Sequence, residues 1–403
     1  MTLFEVERHE TLGDLDWDAN RARIAIERIA ADVHEAFSGT EALWPIHPVD
    51  RSHERPDVLR TLYYGAAGVI WALERLKKSG AISLERDYLP AVRALLEPNR
   101  RDDLRLHGRP IFSCLNGETG LLLLHWTMEP SEELAGQLHA AIEANRANPA
   151  RGYLWGAPGA MQAALLMLEQ TGEARWKDLF VRHCDELWRT WEHDETLDCH
   201  LWTQDLYGHR AKQLGALHGF AGNVFVLLRG GALLGDRQAE LVKRAVQTLQ
   251  VTGLRAGPHA NWPLIAGRTE HPGRKNIRVQ HCSGAPGMIN ALAGLPGTPE
   301  IDEILLAAGE LTWAAGPIAK LPGLCHGVPG SGYAFLKMFQ RTGDERWLRR
   351  ARRFAMHAIG QAERGLKEHG QRKYSVWTGD LGLALYLWDC IRGVGEFPMM
   401  DVF

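Results

Sequence analysis

The chain has 403 residues, with 46 Lys and Arg against 49 Asp and Glu, a net charge of −3 and a pI near 6.7. This balance argues against a nucleic-acid-binding protein, which normally carries a surplus of basic residues. A hydrophobic fraction of 45% and a charged fraction of 24% are typical of globular proteins and exclude wholesale disorder. The length suits two or three average domains, or one closed barrel.

No segment has the pattern of a membrane anchor or an export signal. The longest uninterrupted apolar stretches, such as Leu121–Leu124, are far shorter than the roughly 20 residues that a spanning helix needs. The N-terminal residues are acidic and lack the apolar region of a signal peptide. We therefore expect a soluble cytoplasmic protein whose six cysteines are reduced thiols, core residues or metal ligands.

A Gly-x-x-Gly pair, followed directly by an apolar run, recurs seven times along the chain. The first glycines of the pairs are Gly65, Gly117, Gly156, Gly219, Gly284, Gly327 and Gly379. The first and the last lie 314 residues apart, so the mean spacing is about 52 residues, the size of one long helical hairpin. The runs after the pairs are apolar nearly all round, whereas the runs between them are amphipathic.

This alternation predicts an all-α protein, an α/α toroid in which seven outer helices surround seven inner ones. The small glycines at each inner helix start are expected to let neighbouring backbones approach closely. Residues 1–60 are expected to cap the ring, and residues 61–403 to form the toroid as a single structural unit. The segments Arg255–Pro272 and Glu192–Gln213 are expected to be loops or insertions at one rim, and no substantial sheet is predicted.

The residues just before each first glycine are the candidate functional residues. All inner helices of a toroid run in the same direction, so these residues converge on one mouth, where helix N-termini favour anions such as thiolates. One position before the glycine stand Tyr64, Asn116, Trp155, His218, Ser283, His326 and Thr378. Two positions before it stand Tyr63, Leu115, Leu154, Leu217, Cys282, Cys325 and Trp377.

Cys282 and Cys325 share one register in consecutive repeats, and His326 follows Cys325 directly. Two thiolates and an imidazole suit zinc, and three protein ligands leave a fourth position open, as in catalytic zinc sites. We therefore predict one zinc ion per chain. The alternative is that these cysteines are small core residues, and that is the role expected of Cys114, Cys184, Cys199 and Cys390.

His218 occupies the same mouth, one repeat before Cys282. A neutral histidine near a metal-bound thiolate can serve as a general acid or base, while the alternative is a helix-starting histidine bonded to backbone. Four further residues are expected to line a substrate pocket, with simple packing as the alternative role: Tyr64, Asn116, Trp155 and Trp377.

The segments LGALHGFAGN, QHCSGAPG, LCHGVPGSGYAFL and YSVWTGDLGLAL resemble the lanthionine synthetase C-like family, and GYLWGAPGAM resembles the third repeat of its stand-alone bacterial members. The resemblance extends from about Tyr63 to Asp389. It implies zinc held by Cys282, Cys325 and His326, which activates a thiol for addition to dehydroalanine or dehydrobutyrine in a peptide or protein. It also implies that His218 deprotonates the thiol or protonates the enolate after addition.

The chain departs from the family pattern at three positions. Lantibiotic cyclases carry an Asp four residues before the first glycine of the third repeat, where this chain has Gly152, and Asp205 is a possible substitute. The residue before the first zinc cysteine is usually Trp and here is His281. The residue after it is often His or Tyr and here is Ser283.

The CHG segment instead resembles the eukaryotic-type members, which bind glutathione and add it to dehydrated phosphosites. In that branch a lysine five residues before the zinc cysteine contacts glutathione, and Lys320 stands five residues before Cys325. The expected partners are therefore a dehydrated peptide or protein and a thiol, which is either a peptide cysteine or glutathione.

Two other functions compete with thioether formation. A non-catalytic zinc- and thiol-binding protein is consistent with the absent Asp at Gly152. An α/α-toroid glycosidase would need two carboxylates across the mouth. Glu118 and Asp380 directly follow first glycines, but no carboxylate precedes a glycine in the aligned register.

Overall fold

The computed structural model describes residues 2–52, 55–268, 270–271, 274–275 and 277–403. The α-helices of these residues are α1 (Ala19–Glu35), α2 (Gly39–Ala42), α3 (Ala66–Lys78), α4 (Leu89–Arg93), α5 (Leu96–His107), α6 (Glu118–Met128), α7 (Glu132–Ala144), α8 (Ala157–Thr171), α9 (Ala174–Arg189), α10 (Phe220–Gly230), α11 (Arg237–Thr252), α12 (Ala285–Leu292), α13 (Pro299–Ala315), α14 (Val328–Thr342), α15 (Glu345–His369) and α16 (Asp380–Arg392). Short 3-10 helices span Val6–Arg8, Pro48–Asp50 and Gly231–Leu234. The strands are β1 (Glu192–Asp194), β2 (Cys199–Leu201), β3 (Gln204–Leu206), β4 (His209–Ala211), β5 (Leu254–Ala256), β6 (His259–Asn261), β7 (Glu270–His271) and β8 (Arg274–Lys275).

The seven apolar runs form a closed inner ring. Helices α3, α6, α8, α10, α12, α14 and α16 each begin directly after the first glycine of a pair, and each contacts the next. Helix α16 contacts α3, which closes the ring. Because each inner helix has neighbours on all sides, its residues are buried nearly all round, as its composition predicts. The predicted α/α toroid is confirmed.

The amphipathic runs form the outer ring. Helix α7 packs on α6, α9 on α8, α11 on α10, α13 on α12 and α15 on α14, while α4 and α5 pack on α6. Helix α1 packs against α16 and α15 and so takes an outer position, although it comes from the N-terminal region. Its buried face includes Ile26, Ile29 and Val33, and the Asp18 carboxylate caps its start. The division of the chain at residue 60 stays a prediction.

The glycine pairs are required by a close contact within each repeat. A Cβ atom at Gly120 would lie 1.9 Å from the carbonyl oxygen of Cys114, and one at Gly330 would lie 1.9 Å from that of Leu324. In both cases the contacted backbone lies six residues earlier, in the turn that folds back onto the helix start. The nearest backbone at these two glycines belongs to the same repeat, and side chains of the preceding repeat, Leu62 and His281, lie next nearest.

The two segments expected to be loops contain β-hairpins. Residues 192–213 hold the pairs β1–β2 and β3–β4, and the second segment overlaps β5–β6 and β7, with two strands in each sheet. Strands of two or three residues are too short for a visible alternation of apolar and polar side chains, so the sequence did not predict them. Thr269 and Pro272 of the second segment lie outside the described residues.

The C-terminal residues return to the interior after α16. The Tyr153 hydroxyl donates to the carbonyl oxygen of Met399 (2.8 Å), and the Phe397 ring stacks on His281 with centroids 4.1 Å apart. The Lys337 ammonium pairs with the Asp401 carboxylate at 2.6 Å. These contacts pack the C-terminal segment directly behind residues of the predicted mouth. Across the described ranges, no helix combines the length and the apolarity that crossing a membrane requires.

Candidate metal centre

Backbone hydrogen bonds join the residues that stand two positions before the first glycine. The amide of Tyr63 donates to the carbonyl of Leu115 (2.9 Å), Leu154 to Leu217 (2.9 Å), Cys282 to Cys325 (3.1 Å) and Cys325 to Trp377 (2.7 Å). Equal register along the sequence therefore corresponds to adjacency around the ring. This relationship places Cys282 and Cys325 side by side at the start of two neighbouring inner helices.

The structure brings the three predicted zinc ligands together. The ligand atoms of Cys282, Cys325 and His326 all lie within 4.8 Å of one another, and Cys282 Sγ is 3.8 Å from His326 Nδ1. In the part of the chain that the structure describes, this is the one cluster of three such side chains that could hold a metal ion. Tetrahedral zinc with bonds of about 2.0–2.3 Å needs ligand atoms roughly 3.5–3.8 Å apart. The donor types and their spacing thus fit zinc.

The environment of the cluster favours negative charge on sulfur. The Gln280 side-chain amide donates to Cys282 Sγ at 2.9 Å. The pKa of Cys282 is held well below its usual value by hydrogen bonding from the Cys325 thiol, with His326 adding to the effect. Burial raises the pKa of Cys325, while the hydroxyl of Tyr63 reaches this sulfur and acts in the opposite direction. A thiolate is therefore accommodated at Cys282.

Tyr63 was placed at the mouth by its register, but no specific role was predicted for it. It is buried, and its ring stacks on Trp377 with centroids 5.6 Å apart. The signal that could have identified Tyr63 was present, because it shares the register of Cys282 and Cys325, two positions before a first glycine. Gln280 carries no such signal, since it lies outside both aligned positions.

His218 lies at the same mouth, next to the metal cluster. Burial lowers the pKa of its imidazole, and Cys282 and His326 are close enough to influence that pKa. Among the described residues its ring makes no hydrogen bond to backbone, so the alternative role of a backbone-bonded histidine gains no support. A neutral imidazole with a free nitrogen can accept or donate a proton near the cluster.

Gly152, which stands where cyclases carry an Asp, and Asp205, the substitute considered for it, lie in different places. Gly152 packs against His218, because a Cβ atom at position 152 would lie 3.0 Å from the His218 Cα and carbonyl carbon. Asp205 lies on β3, and its amide donates to the carbonyl of Pro149 at 2.8 Å. It lines a cleft with Trp155 and Tyr207.

The four expected pocket residues differ in exposure. Tyr64 is partly exposed and lies under the Arg55 guanidinium, 4.4 Å from its ring centroid. Trp155 is also partly exposed. Trp377 is completely buried, and its indole N–H donates to Met399 Sδ at 3.2 Å. Asn116 is buried, and neither polar atom of its amide has a partner within the described residues. Of the four, only Trp377 has no exposed surface.

Lys320 lies on the loop before α14, close enough to Cys282 and Cys325 for both to influence the pKa of its ammonium. Partial burial lowers the pKa of its ammonium, as does Arg8, whereas Cys282 and Cys325 raise it. The amide of Ala319 donates to the carbonyl of Arg8 at 2.8 Å, which fixes the N-terminal segment beside this loop. Lys320 is therefore a cation near the thiols, and Arg8 is a second cation near Lys320. Arg8 belongs to no repeat, so its position could not be predicted from the register.

The two departures beside Cys282 are buried. His281 Nδ1 lies 3.1 Å from the side-chain nitrogen of Asn290, and burial lowers the pKa of its imidazole to about 3. Ser283 is buried as well, and its carbonyl accepts from the amide of Gln280 at 3.1 Å. Both residues belong to the wall behind the cluster.

The two carboxylates that a glycosidase would need are engaged in structural contacts. Glu118 is buried and accepts from the Arg100 guanidinium at 2.7 and 2.8 Å. Asp380 is buried and accepts from the amide of Lys373 at 3.0 Å. The remaining cysteines Cys114, Cys184, Cys199 and Cys390 are free and buried.

A closed α/α toroid with a cluster of two cysteines and one histidine at its mouth defines the class of protein to which this chain belongs. Residues 57–402 match the family described as "Lanthionine synthetase C-like protein". The match covers most of the chain, so the protein belongs to this family, as the sequence motifs predict.

Individual relatives support the same assignment. The chain is 29% identical over 206 residues to "Glutathione S-transferase LANCL1" of Danio rerio, and the aligned region covers 50% of this chain and 47% of the relative. It is 30% identical over 203 residues to "LanC-like protein GCL1" of Arabidopsis thaliana, covering 48% and 44%. The chain thus spans about half the length of the curated relatives it matches. The solved structure of "Nisin cyclase" shares the fold, with a TM-score of 0.62 and 16% identity over 94% of this chain and 96% of that one.

Proposed function

We propose that this protein is a zinc-dependent enzyme that adds a thiol to a dehydroalanine or dehydrobutyrine residue of a peptide or protein. The observation that carries the proposal is the convergence of Cys282, Cys325 and His326 beside His218. Their donor types and spacing suit zinc, and burial keeps the His218 imidazole neutral.

The proposed reaction requires one proton transfer on each side of the bond-forming step. Zinc held by these three residues would lower the pKa of a thiol in its open fourth position. His218 accepts the thiol proton, and the sulfur forms a bond to the β-carbon of the dehydro residue. The electrons of the carbon–carbon double bond move toward the carbonyl, and His218 returns the proton to the α-carbon. Every atom of both reactants remains in the product, and no oxidant is needed.

The charges at the mouth support glutathione as the thiol. Lys320 is near both cysteines and Arg8 is near Lys320, so positive charge lies beside the thiol position. Glutathione carries carboxylates that such a pair can bind, whereas a cysteine within a neutral peptide does not. The name of the zebrafish relative also refers to glutathione. We place this chemistry in a reducing cytoplasm, which keeps glutathione and the free cysteines reduced.

The test combines the purified protein with zinc, glutathione and a dehydroalanine peptide, and measures the glutathione adduct by mass spectrometry. The variant His218→Ala should keep its zinc but lose roughly 10²–10⁴-fold in rate, the usual contribution of a positioned acid–base group. An unchanged rate would remove His218 from the mechanism. Absence of any adduct with the wild-type protein would contradict the enzymatic proposal.

A second candidate is a zinc- and thiol-binding protein without turnover. It is favoured by Gly152, which packs against the His218 backbone. Because this residue is a glycine, no side chain stands beside His218 at the position where cyclases carry an Asp. This candidate predicts glutathione binding in calorimetry, weakened by Lys320→Ala but not by Lys177→Ala on the exposed face of α9, together with no adduct.

A further inference from the structure

The turn of the β3–β4 hairpin has a backbone conformation that is unfavourable for Tyr207, the residue at its first position. Leu206 pairs with His209, so Tyr207 and Gly208 form a two-residue connection with φ of +55° and +77°. Positive φ at both positions is the pattern of a type I′ turn, where Asn-Gly and Asp-Gly are preferred. A bulky aromatic residue in this region of φ is rare and strained, and such strain is typical of functional sites.

Burial does not compensate for this strain. The Tyr207 side chain is 71% exposed, more than any other large hydrophobic residue among those the structure describes. Its ring stands edge-on to Trp155, with centroids 5.9 Å apart and planes at 77°. The stability of the turn would improve with Asn at this position, so stability does not account for the tyrosine.

The hairpin is fixed beside the mouth. The amide of Asp205 donates to the carbonyl of Pro149 at 2.8 Å, which ties β3 to the loop before α8. The side-chain amide of Asn148 donates a hydrogen bond to the carbonyl of Trp155 at 3.1 Å. Between the hairpin and the loops that precede α6 and α8 lies a cleft of about 570 Å³, whose walls include Phe112, Trp155 and Tyr207.

Trp155, which lines the cleft, shares its register with residues of the mouth. Tyr64, Asn116 and Trp155 hold the same register in the first three repeats and therefore follow one another around the mouth. Tyr64 is close enough to both Cys325 and Tyr207 for each to affect the pKa of its hydroxyl. Asn116, between Tyr64 and Trp155 in this order, has a buried amide whose donor and acceptor lack a protein partner. A peptide group offers the acceptor and the donor that this amide needs.

We propose that this cleft, closed on one side by Tyr207, binds the acceptor polypeptide in an extended conformation and packs an apolar side chain of it against Tyr207 and Trp155. The inference rests on the proposed function for the identity of the acceptor. The cleft is assigned to a peptide because its exposed aromatic rings match apolar side chains. The unpaired amide of Asn116, one repeat before Trp155, matches a peptide group. Glutathione binds on the side of Lys320 and does not require Tyr207.

The decisive variant is Tyr207→Asn, which installs the preferred Asn-Gly turn. The probe is a short fluorescein-labelled peptide with a central serine between leucine and phenylalanine, titrated with the zinc-loaded protein and followed by anisotropy. The variant should melt at the same or a higher temperature and yet bind the peptide roughly tenfold more weakly, a typical loss for an aromatic contact residue. Its affinity for glutathione should not change.

Asp198→Asn is the matched control, because Asp198 also has a positive φ, of +49°, in the neighbouring hairpin region and contacts His193 rather than the cleft. This variant should bind the peptide like the wild type. Equal peptide affinity of Tyr207→Asn and wild type, or no binding by the wild type, would overturn the inference. Tyr207-dependent binding without any glutathione adduct on the dehydroalanine form of the peptide would contradict the proposed function alone.

Discussion

Gly152 and His218 are in direct backbone contact across two consecutive repeats. A Cβ atom built on Gly152 would lie 3.0 Å from both Cα and the carbonyl carbon of His218, and 3.1 Å from the carbonyl oxygen of Leu217. The amide of Leu154 donates to that same carbonyl at 2.9 Å, which holds the two segments together. The position of the cyclase Asp is therefore adjacent to His218, but the local backbone arrangement leaves little room for a side chain.

Restoring the acid should not restore a cyclase-like site. We expect Gly152→Asp to lower the free energy of unfolding by about 1–3 kcal/mol, the usual cost of overpacking, and not to raise the rate of thiol addition. Gly152→Ala separates the effect of the Cβ atom from that of the carboxylate. Denaturant unfolding and adduct formation are measured for both variants. A faster Gly152→Asp protein of undiminished stability would contradict this explanation.

The repeat accounts for what the sequence could predict. Because every inner helix begins in the same way, position within the repeat translates into position on the ring, and Cys282, Cys325 and His326 were identified on this basis. Features that occur only once could not be predicted from the repeat. These are the outer helix α1, the three-residue strands, Arg8 on the N-terminal segment and Tyr207 at a hairpin tip. Their places depend on tertiary contacts between distant segments, which a periodic pattern does not contain.

The metal ligands can be separated from ordinary buried cysteines by a matched pair of variants. Cys325→Ala should lose bound zinc and keep its helical content, because the core is formed by the inner helices rather than by the metal. Cys390→Ala removes an equally buried thiol on α16 and should keep the zinc. Zinc content by mass spectrometry and far-ultraviolet circular dichroism test both. Loss of helical content in the first variant would mean that the zinc is structural.

The hydroxyl of Tyr63 should support the metal through Cys325. Tyr63→Phe keeps the ring that stacks on Trp377 and removes only the group that reaches the sulfur. Loss of such an outer contact typically lowers metal affinity or activity by about 10–100-fold. Tyr386→Phe is the control, because its buried hydroxyl donates to the carbonyl of Ala351 at 2.6 Å, away from the cluster. Competition with a zinc chelator measures the affinity, and equal values for both variants would exclude this role.

A buried carboxyl group near the end of α16 should make stability fall as the pH rises. Asp389 is buried and accepts from the Tyr333 hydroxyl at 2.8 Å, and burial raises the pKa of its carboxyl to about 7. In the unfolded chain the pKa of an Asp is about 3.9. Between these two pKa values the folded protein binds more protons than the unfolded chain, so the free energy of unfolding decreases with increasing pH.

Asp389→Asn removes this ionisation and retains the size of the side chain. At pH values near 4 the wild-type carboxyl is protonated in the folded state, so the variant and the wild type should be about equally stable. Near pH 8 the variant should be more stable by on the order of 1–3 kcal/mol, because the wild type must bury a charge there. Urea unfolding of both proteins across this pH range, at equal zinc content, measures the difference. A stability difference that does not change with pH would show that Asp389 does not titrate in this interval.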